Sequence, residues 1–206
     1  MNAFSYRVQT LQPSAIREIL KFTSDPEVIS FAAGNPAPEA FPTEEIARIT
    51  NEILTTTPID ALQYSITEGY TPLRNWIKDD LKKKGMFDES EEDVVITSGA
   101  QQAIEVVTKE ICNEGDVIIC EAPTFIGSLN AFRSYNAKLV GIDMDDDGIN
   151  IEKLEAALEK YQRTAFIYLI PNFQNPTGKT MRSITYIYLK IILTAICVIS
   201  ARTYLP

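Results

Sequence analysis

Val94-Val95-Ile96-Thr97-Ser98-Gly99-Ala100-Gln101-Gln102-Ala103-Ile104 changes its periodicity around a single glycine. Before Gly99 the residues are continuous and β-branched, as in a strand buried on both faces. After it, Ile104, Val107 and Ile111 recur at helical spacing until Asn113-Glu114-Gly115 stops the pattern, which predicts a helix over Gln101 to Cys112. Strand, small-residue turn and helix in direct succession make half of a βαβ unit. The rest of the chain repeats the theme. Val117 to Cys120, Lys138 to Ile142 and Ala165 to Ile170 are short β-rich runs bounded by turn residues, and Ile151, Leu154, Leu158 and Tyr161 mark a helix between the last two. Another helix opens at Thr71-Pro72, where the missing proline N–H costs nothing. The pattern predicts an α/β domain over residues 43–181, a mainly parallel sheet with flanking helices. Residues 1–42 show little periodicity, carry prolines at 26, 36 and 38, and read as an arm that packs on other surfaces.

Composition narrows the function classes. The formal charge of −9 and a pI near 4.6 oppose a nucleic-acid partner, because phosphate backbones require a basic footprint. The three cysteines, Cys112, Cys120 and Cys197, are widely spaced and form no CxxC, which fits a reducing, cytoplasmic setting better than a disulfide framework or zinc site. Histidine is absent, which removes Ser-His-Asp, Cys-His and His-metal chemistry together. The first twenty residues lack a basic start followed by an apolar run, so no export signal is expected. The longest apolar stretch, Ile184 to Ile199, contains Lys190 and is shorter than the roughly 18–20 residues a bilayer span needs, so no membrane partner is expected.

Three loops carry residues suited to chemistry. Thr97 to Gln102 links a strand to a helix and exposes helix N-terminal N–H groups, a natural anion site and also a common plain turn. Asn172-Phe173-Gln174-Asn175-Pro176-Thr177-Gly178 follows the Ala165 to Ile170 strand and reads equally as loop punctuation. Glu121-Ala122-Pro123-Thr124-Phe125-Ile126-Gly127 follows another strand, with an aromatic that suits either core packing or stacking on a planar ligand. All three leave strands at one edge of the sheet, where open α/β folds bind ligands.

In order along the chain, Ile29-Ser30-Phe31-Ala32-Ala33-Gly34-Asn35-Pro36-Ala37-Pro38, Leu62-Gln63-Tyr64, Gly69-Tyr70, Leu73-Arg74, the Ser98 to Gln102 turn and Asn175-Pro176-Thr177-Gly178 resemble the class I/II aminotransferases of fold type I. The likeness runs from Phe4 to about Met181 and is greatest to enzymes acting on 2-aminoadipate, aromatic or branched-chain amino acids. It implies the large domain of a pyridoxal 5'-phosphate enzyme, incomplete here, that moves an amino group between an amino acid and a 2-oxo acid. It implies that Gly99, Ala100 and Gln101 hold the cofactor phosphate, with Ala100 standing where many relatives have serine. Phe125, often tyrosine in relatives, would stack on the pyridine ring, and Asn175 would bond its phenolic oxygen. Tyr64 would reach the phosphate of the neighbouring subunit in a homodimer, and Gly34, with Asn175, would lie by the substrate carboxylate. For Tyr64 and Phe125 the alternative is core packing.

After Met181 the resemblance stops. The family next supplies an aspartate for the pyridine nitrogen, a Ser-x-x-Lys whose lysine holds the cofactor covalently, and an arginine for the substrate carboxylate. None is matched here, and neither Lys179 nor Lys190 sits in the corresponding motif, so no catalytic residue is assigned and inactivity is expected. Residues 182–206 are rich in Ile, Tyr and Leu with no acidic residue, unlike the acidic body. Reading each third base with the next two across Leu189 to Val198 permits Glu-Asp-Asn-Pro-Tyr-Gly-Asp-Leu-Arg-Tyr, the family's sequence around its pyridine-pairing aspartate. The shift in composition and that permitted reading favour a deletion with a frameshift over a genuine divergent tail. The alternatives to an aminotransferase are a pyridoxal-phosphate lyase-like fragment, which shares the phosphate and Asn-Pro contacts, and a non-enzymatic protein with an apolar tail.

Overall fold

The computed structural model describes residues 4–9, 27, 29 and 36–182. In chain order the helices are α1 (Tyr6–Gln9), α2 (Thr43–Thr56), α3 (Pro58–Leu62), α4 (Thr71–Lys83), α5 (Ala100–Ile111), α6 (Ile126–Ser134) and α7 (Ile151–Lys160). The strands are β1 (Val117–Ala122), β2 (Lys138–Asp145), β3 (Gly148–Ile149) and β4 (Thr164–Tyr168). They divide between two compact units, Pro13–Ile96 and Thr97–Pro206 with Met1–Gln12.

In the first unit, α4 starts at Thr71-Pro72 as its sequence requires and ends with Lys82 and Lys83 against the negative end of the helix dipole. Gly85 at φ +65° then closes the helix, its N–H donating to Lys82 O at 3.0 Å and that of Met86 to Leu81 O at 2.9 Å. The buried Arg74 ties the following segment to α4, donating to Val94 O at 2.6 Å and Asp93 Oδ2 at 2.7 Å. Lys78 adds an ion pair to Asp93. The expected strand Val94 to Thr97 does not form. Its backbone bonds are Ile96 N to Glu68 O at 2.9 Å and the local turn bond from Gly99 N to Thr97 O at 2.9 Å, neither part of a ladder, and Val95 is exposed. A strand exists only as part of a ladder, and no described residue supplies the parallel neighbour that this run requires.

In the second unit the sheet order is β3-β2-β1-β4. β1 pairs in parallel with β2, from Val117 opposite Lys138 to Ala122 opposite Asp143, and with β4 on its other side; β2 and β3 form an antiparallel turn. Alternation along β1 builds two cores. Val117 and Ile119 pack with Ile142, Ile149, Leu154, Ile167 and Leu169, whereas Ile118 and Cys120 face Ile104, Phe132, Phe166 and Tyr168. Phe132 of α6 meets Phe166 and Tyr168 edge-on, with centroids 5.5 and 5.3 Å away. Each fully buried side chain of this size contributes about 1.5–3 kcal/mol, so the two faces of β1 are the main hold on the sheet.

The three expected strands in this unit form, with β2 running on to Asp145, and the helices expected at 101–112 and 151–161 appear as α5 and α7. The short α6 was not legible in the sequence. Cys112 and Cys120 are buried free thiols, and burial pushes the Cys120 thiol up to about 11. Among the described residues no helix is long and apolar enough to cross a membrane, and no group of His, Cys, Asp and Glu could hold a metal ion. Gly34, Lys190, Cys197, the apolar stretch at 184–199 and nearly all of the 182–206 tail lie outside the described residues, as does most of the 1–42 arm.

Candidate active site

The first part of the site is the entry to α5. Gly99 is the N-cap at φ +84°, a conformation that side chains with a Cβ rarely adopt, while the space around it is open, so the demand for glycine is conformational. Gln102, in the first turn of α5, reaches back so that Ser98 N donates to its Oε1 at 2.5 Å. No side chain caps the helix. Among the described residues the N–H groups of Ala100, Gln101 and Gln102 therefore have no acceptor, and they stand at the positive end of a twelve-residue helix. This is an open, uncapped helix N-terminus, a geometry suited to an anion.

The second part is the link from β1 to α6. Phe125 is the N-cap of α6 and is half-buried. Its ring lies against Gly127: a Cβ there would fall 2.5 Å from Phe125 Cε1, 2.7 Å from Cζ and 3.0 Å from Gln101 Oε1. Gln101 Nε2 donates to Gly127 O at 3.2 Å. The Gln101 side chain thus bridges α5 to the start of α6. Gln101 and Phe125 both meet Gly127, and Gly99 and Ala100 precede Gln101 at the entry to α5.

The third part is the loop after β4. Asn175 is exposed, but the residue before it, Gln174, is 1% exposed. Gln174 Nε2 donates to Glu121 Oε2 at 3.1 Å and to Pro123 O at 2.8 Å, while its Oε1 accepts from Thr177 N at 2.9 Å and Thr177 Oγ1 at 2.7 Å. Glu121, at the end of β1, is also 1% exposed and accepts from Ile170 N at 3.1 Å through the same Oε2. Its Oε1 has no partner, and burial raises its pKa against the lowering effect of those donors. The sequence reading missed Glu121 and Gln174 as structural anchors. Their only signal was a polar residue near the end of β1 and another in the loop after β4, which reads as ordinary loop chemistry until the two strands are known to be neighbours.

Tyr64 belongs to the other unit and is 99% exposed, so it is no core residue. A separate cavity of about 310 Å³ is lined by Asp145, Asp147, Asn150, Glu152 and Met181 and shares no residue with this set.

Residues 26–186 match the family described as aminotransferase class I and II. An aromatic-amino-acid aminotransferase of Thermococcus litoralis is 41% identical over 182 residues, covering 86% of this chain and 44% of that protein. A 2-aminoadipate transaminase of Thermus thermophilus is 42% identical over 176 residues, covering 85% and 43%. Among solved structures, a kynurenine aminotransferase of Pyrococcus horikoshii superimposes with TM-score 0.86 at 35% identity, over 95% of this chain and 50% of that one. The α-aminoadipate aminotransferase of Thermus thermophilus, solved with N-(5'-phosphopyridoxyl)-L-leucine, gives TM-score 0.81 at 35% identity, over 98% and 49%. The chain spans less than half the length of the curated relatives it matches.

Proposed function

The chain belongs to the class I and II aminotransferases, and from that premise we propose that these residues hold the phosphate and one side of the ring of pyridoxal 5'-phosphate but lack the lysine through which the complete enzymes work. The observation that carries the reading is the uncapped start of α5. Three N–H groups point outward from a glycine-initiated helix whose end has been left without a side-chain cap, which suits a phosphate dianion. The residues fit the group on a second count, because the Phe125 ring lies against Gly127, to whose carbonyl Gln101 of that turn donates, and the absence of a Cβ there leaves the ring its room.

In this reading Gly99, Ala100 and Gln101 bind the phosphate through the backbone, and the Gln101 side chain braces Phe125 rather than touching the anion. Phe125 lines one face of the ring and excludes water from it. Asn175 donates to the phenolic oxygen and lies near the substrate carboxylate. Tyr64, wholly exposed in one chain, reaches the phosphate of a second subunit in a homodimer. When bound, the cofactor supplies the electron sink that lets an amino group pass from an amino acid to a 2-oxo acid. The proton at the substrate α-carbon needs a nearby amine, and this chain has no residue in the matching motif. Lys179 is engaged elsewhere, donating to Asp145 O at 2.6 Å and lying 3.3 Å from Asp146. Aromatic, 2-aminoadipate or branched-chain amino acids are the proposed substrate class of the complete enzyme, in the cytoplasm.

Pyridoxamine 5'-phosphate tests the reading without requiring the lysine. It should bind the purified chain and be displaced by inorganic phosphate; absence of binding refutes the cradle.

A further inference from the structure

Asn175 is exposed on a loop, yet a residue that must meet a small planar ligand needs a fixed position. What fixes it is the Gln174 amide. Both its donors and both its acceptor positions are filled, the full complement for that side chain. The main chain closes on the same residue, with Gln174 N donating to Lys179 O at 2.8 Å and Gly178 N to Gln174 O at 2.5 Å. One of those bonds, to Pro123 O, reaches the segment that carries Phe125 two residues later. A single amide group therefore spans the residue before Asn175 and the run that leads into Phe125.

Glu121 anchors the assembly. Its Oε2 holds both the point where the chain leaves β4 and the Gln174 amide. A carboxyl group buried without a cation, with one oxygen lacking any donor, carries a desolvation cost that its two accepted hydrogen bonds offset only in part. What the group does in return is fix the two donors that it accepts from. We infer that Glu121 and Gln174 are positioning residues that set the spacing between Phe125 and Asn175 across the cofactor ring, an inference that rests on the cofactor reading above.

The test uses the full chain and the variants Gln174→Glu, Gln174→Leu, Glu121→Leu and Glu121→Gln, each titrated with pyridoxamine 5'-phosphate and separately with inorganic phosphate. Glu121→Gln keeps an acceptor oxygen and should bind pyridoxamine 5'-phosphate as the parent does. The other three should bind it about tenfold more weakly, the effect of stranding a buried hydrogen-bonding group. Inorganic phosphate affinity should be unchanged in all four, because its donors lie on α5. Equal pyridoxamine 5'-phosphate affinity in all variants overturns the inference, as does a parallel loss of phosphate affinity, which marks a merely structural role. If the parent binds no pyridoxamine 5'-phosphate, the cofactor reading falls and the amide hydrogen exchange of Thr177 and Gly178 decides the brace. Exchange about tenfold faster in Gln174→Leu and Glu121→Leu but not in Glu121→Gln supports it, and unchanged exchange overturns it.

Discussion

Gly127→Ala sets two effects of opposite sign against each other. Gly127 lies in the first turn of α6, where replacing glycine by alanine favours the helix by about 1 kcal/mol. The new methyl, however, falls 2.5 Å from Phe125 Cε1 and 2.7 Å from Cζ. Carbon atoms rest at roughly 3.5–4.0 Å, so the ring must retreat by about 1 Å. The nearby Gln101 oxygen, at 3.0 Å, has to give by a few tenths more. Phe125 is half-buried and can swing outward, so the helix gain and the clash roughly cancel in stability. They do not cancel in the site. A ring moved by about 1 Å loses an aromatic contact of about 0.5–1.5 kcal/mol with the cofactor, which is about a three- to tenfold loss of affinity. Fluorescence titration with pyridoxamine 5'-phosphate, beside a urea midpoint for each protein, reads both quantities. Unchanged affinity would refute the reasoning, because it would mean the Phe125 ring is not a wall of the site.

Phe132→Ala removes a side chain 1% exposed, together with its edge contacts to Phe166 and Tyr168, and should destabilise the sheet by about 3–5 kcal/mol in urea unfolding. The exposed Val106→Ala on α5 should stay within about 0.5 kcal/mol of the parent. Glu121 has a folded pKa raised by burial, so the native state holds its proton more tightly than the unfolded chain does. Stability relative to Glu121→Gln should therefore fall as pH rises from the ordinary glutamate range, near about 4.3, and level off above the raised value. Urea midpoints across that range check this, and a difference that stays flat contradicts it. Nucleotide sequence from codon 178 onward should show Glu-Asp-Asn-Pro-Tyr in the shifted frame at Leu189 to Leu193 and, downstream of codon 206 in the same frame, a Ser-x-x-Lys segment; finding neither sinks the frameshift reading.

Periodicity made the second unit legible because its elements are local and complete. β1 carries a continuous apolar run buried on both faces, and α7 keeps Leu154 and Ala157 on one buried side. The Val94 run has the same composition but lacks a ladder partner among the described residues, and composition cannot report a missing neighbour. The α6 helix escaped for the opposite reason. Gly127, Ser128 and Asn130 interrupt its apolar face, and Phe132 packs mainly on β4, a contact made only when the sheet assembles. The 97–102 turn and Phe125 drew notice in the sequence because each follows a β-rich run, but only the run before Phe125 forms a strand among the described residues. Glu121 and Gln174 are separated by 53 positions in sequence, and their pairing becomes visible only once β1 and β4 are adjacent.

The most direct test of the central claim treats the purified chain with pyridoxal 5'-phosphate, reduces it with borohydride and maps the peptides, beside a titration with pyridoxamine 5'-phosphate. The account predicts saturable pyridoxamine 5'-phosphate binding and no lysine carrying stoichiometric phosphopyridoxyl label. Stoichiometric label at one defined lysine, accompanied by transamination of an aromatic, 2-aminoadipate or branched-chain donor, would contradict it.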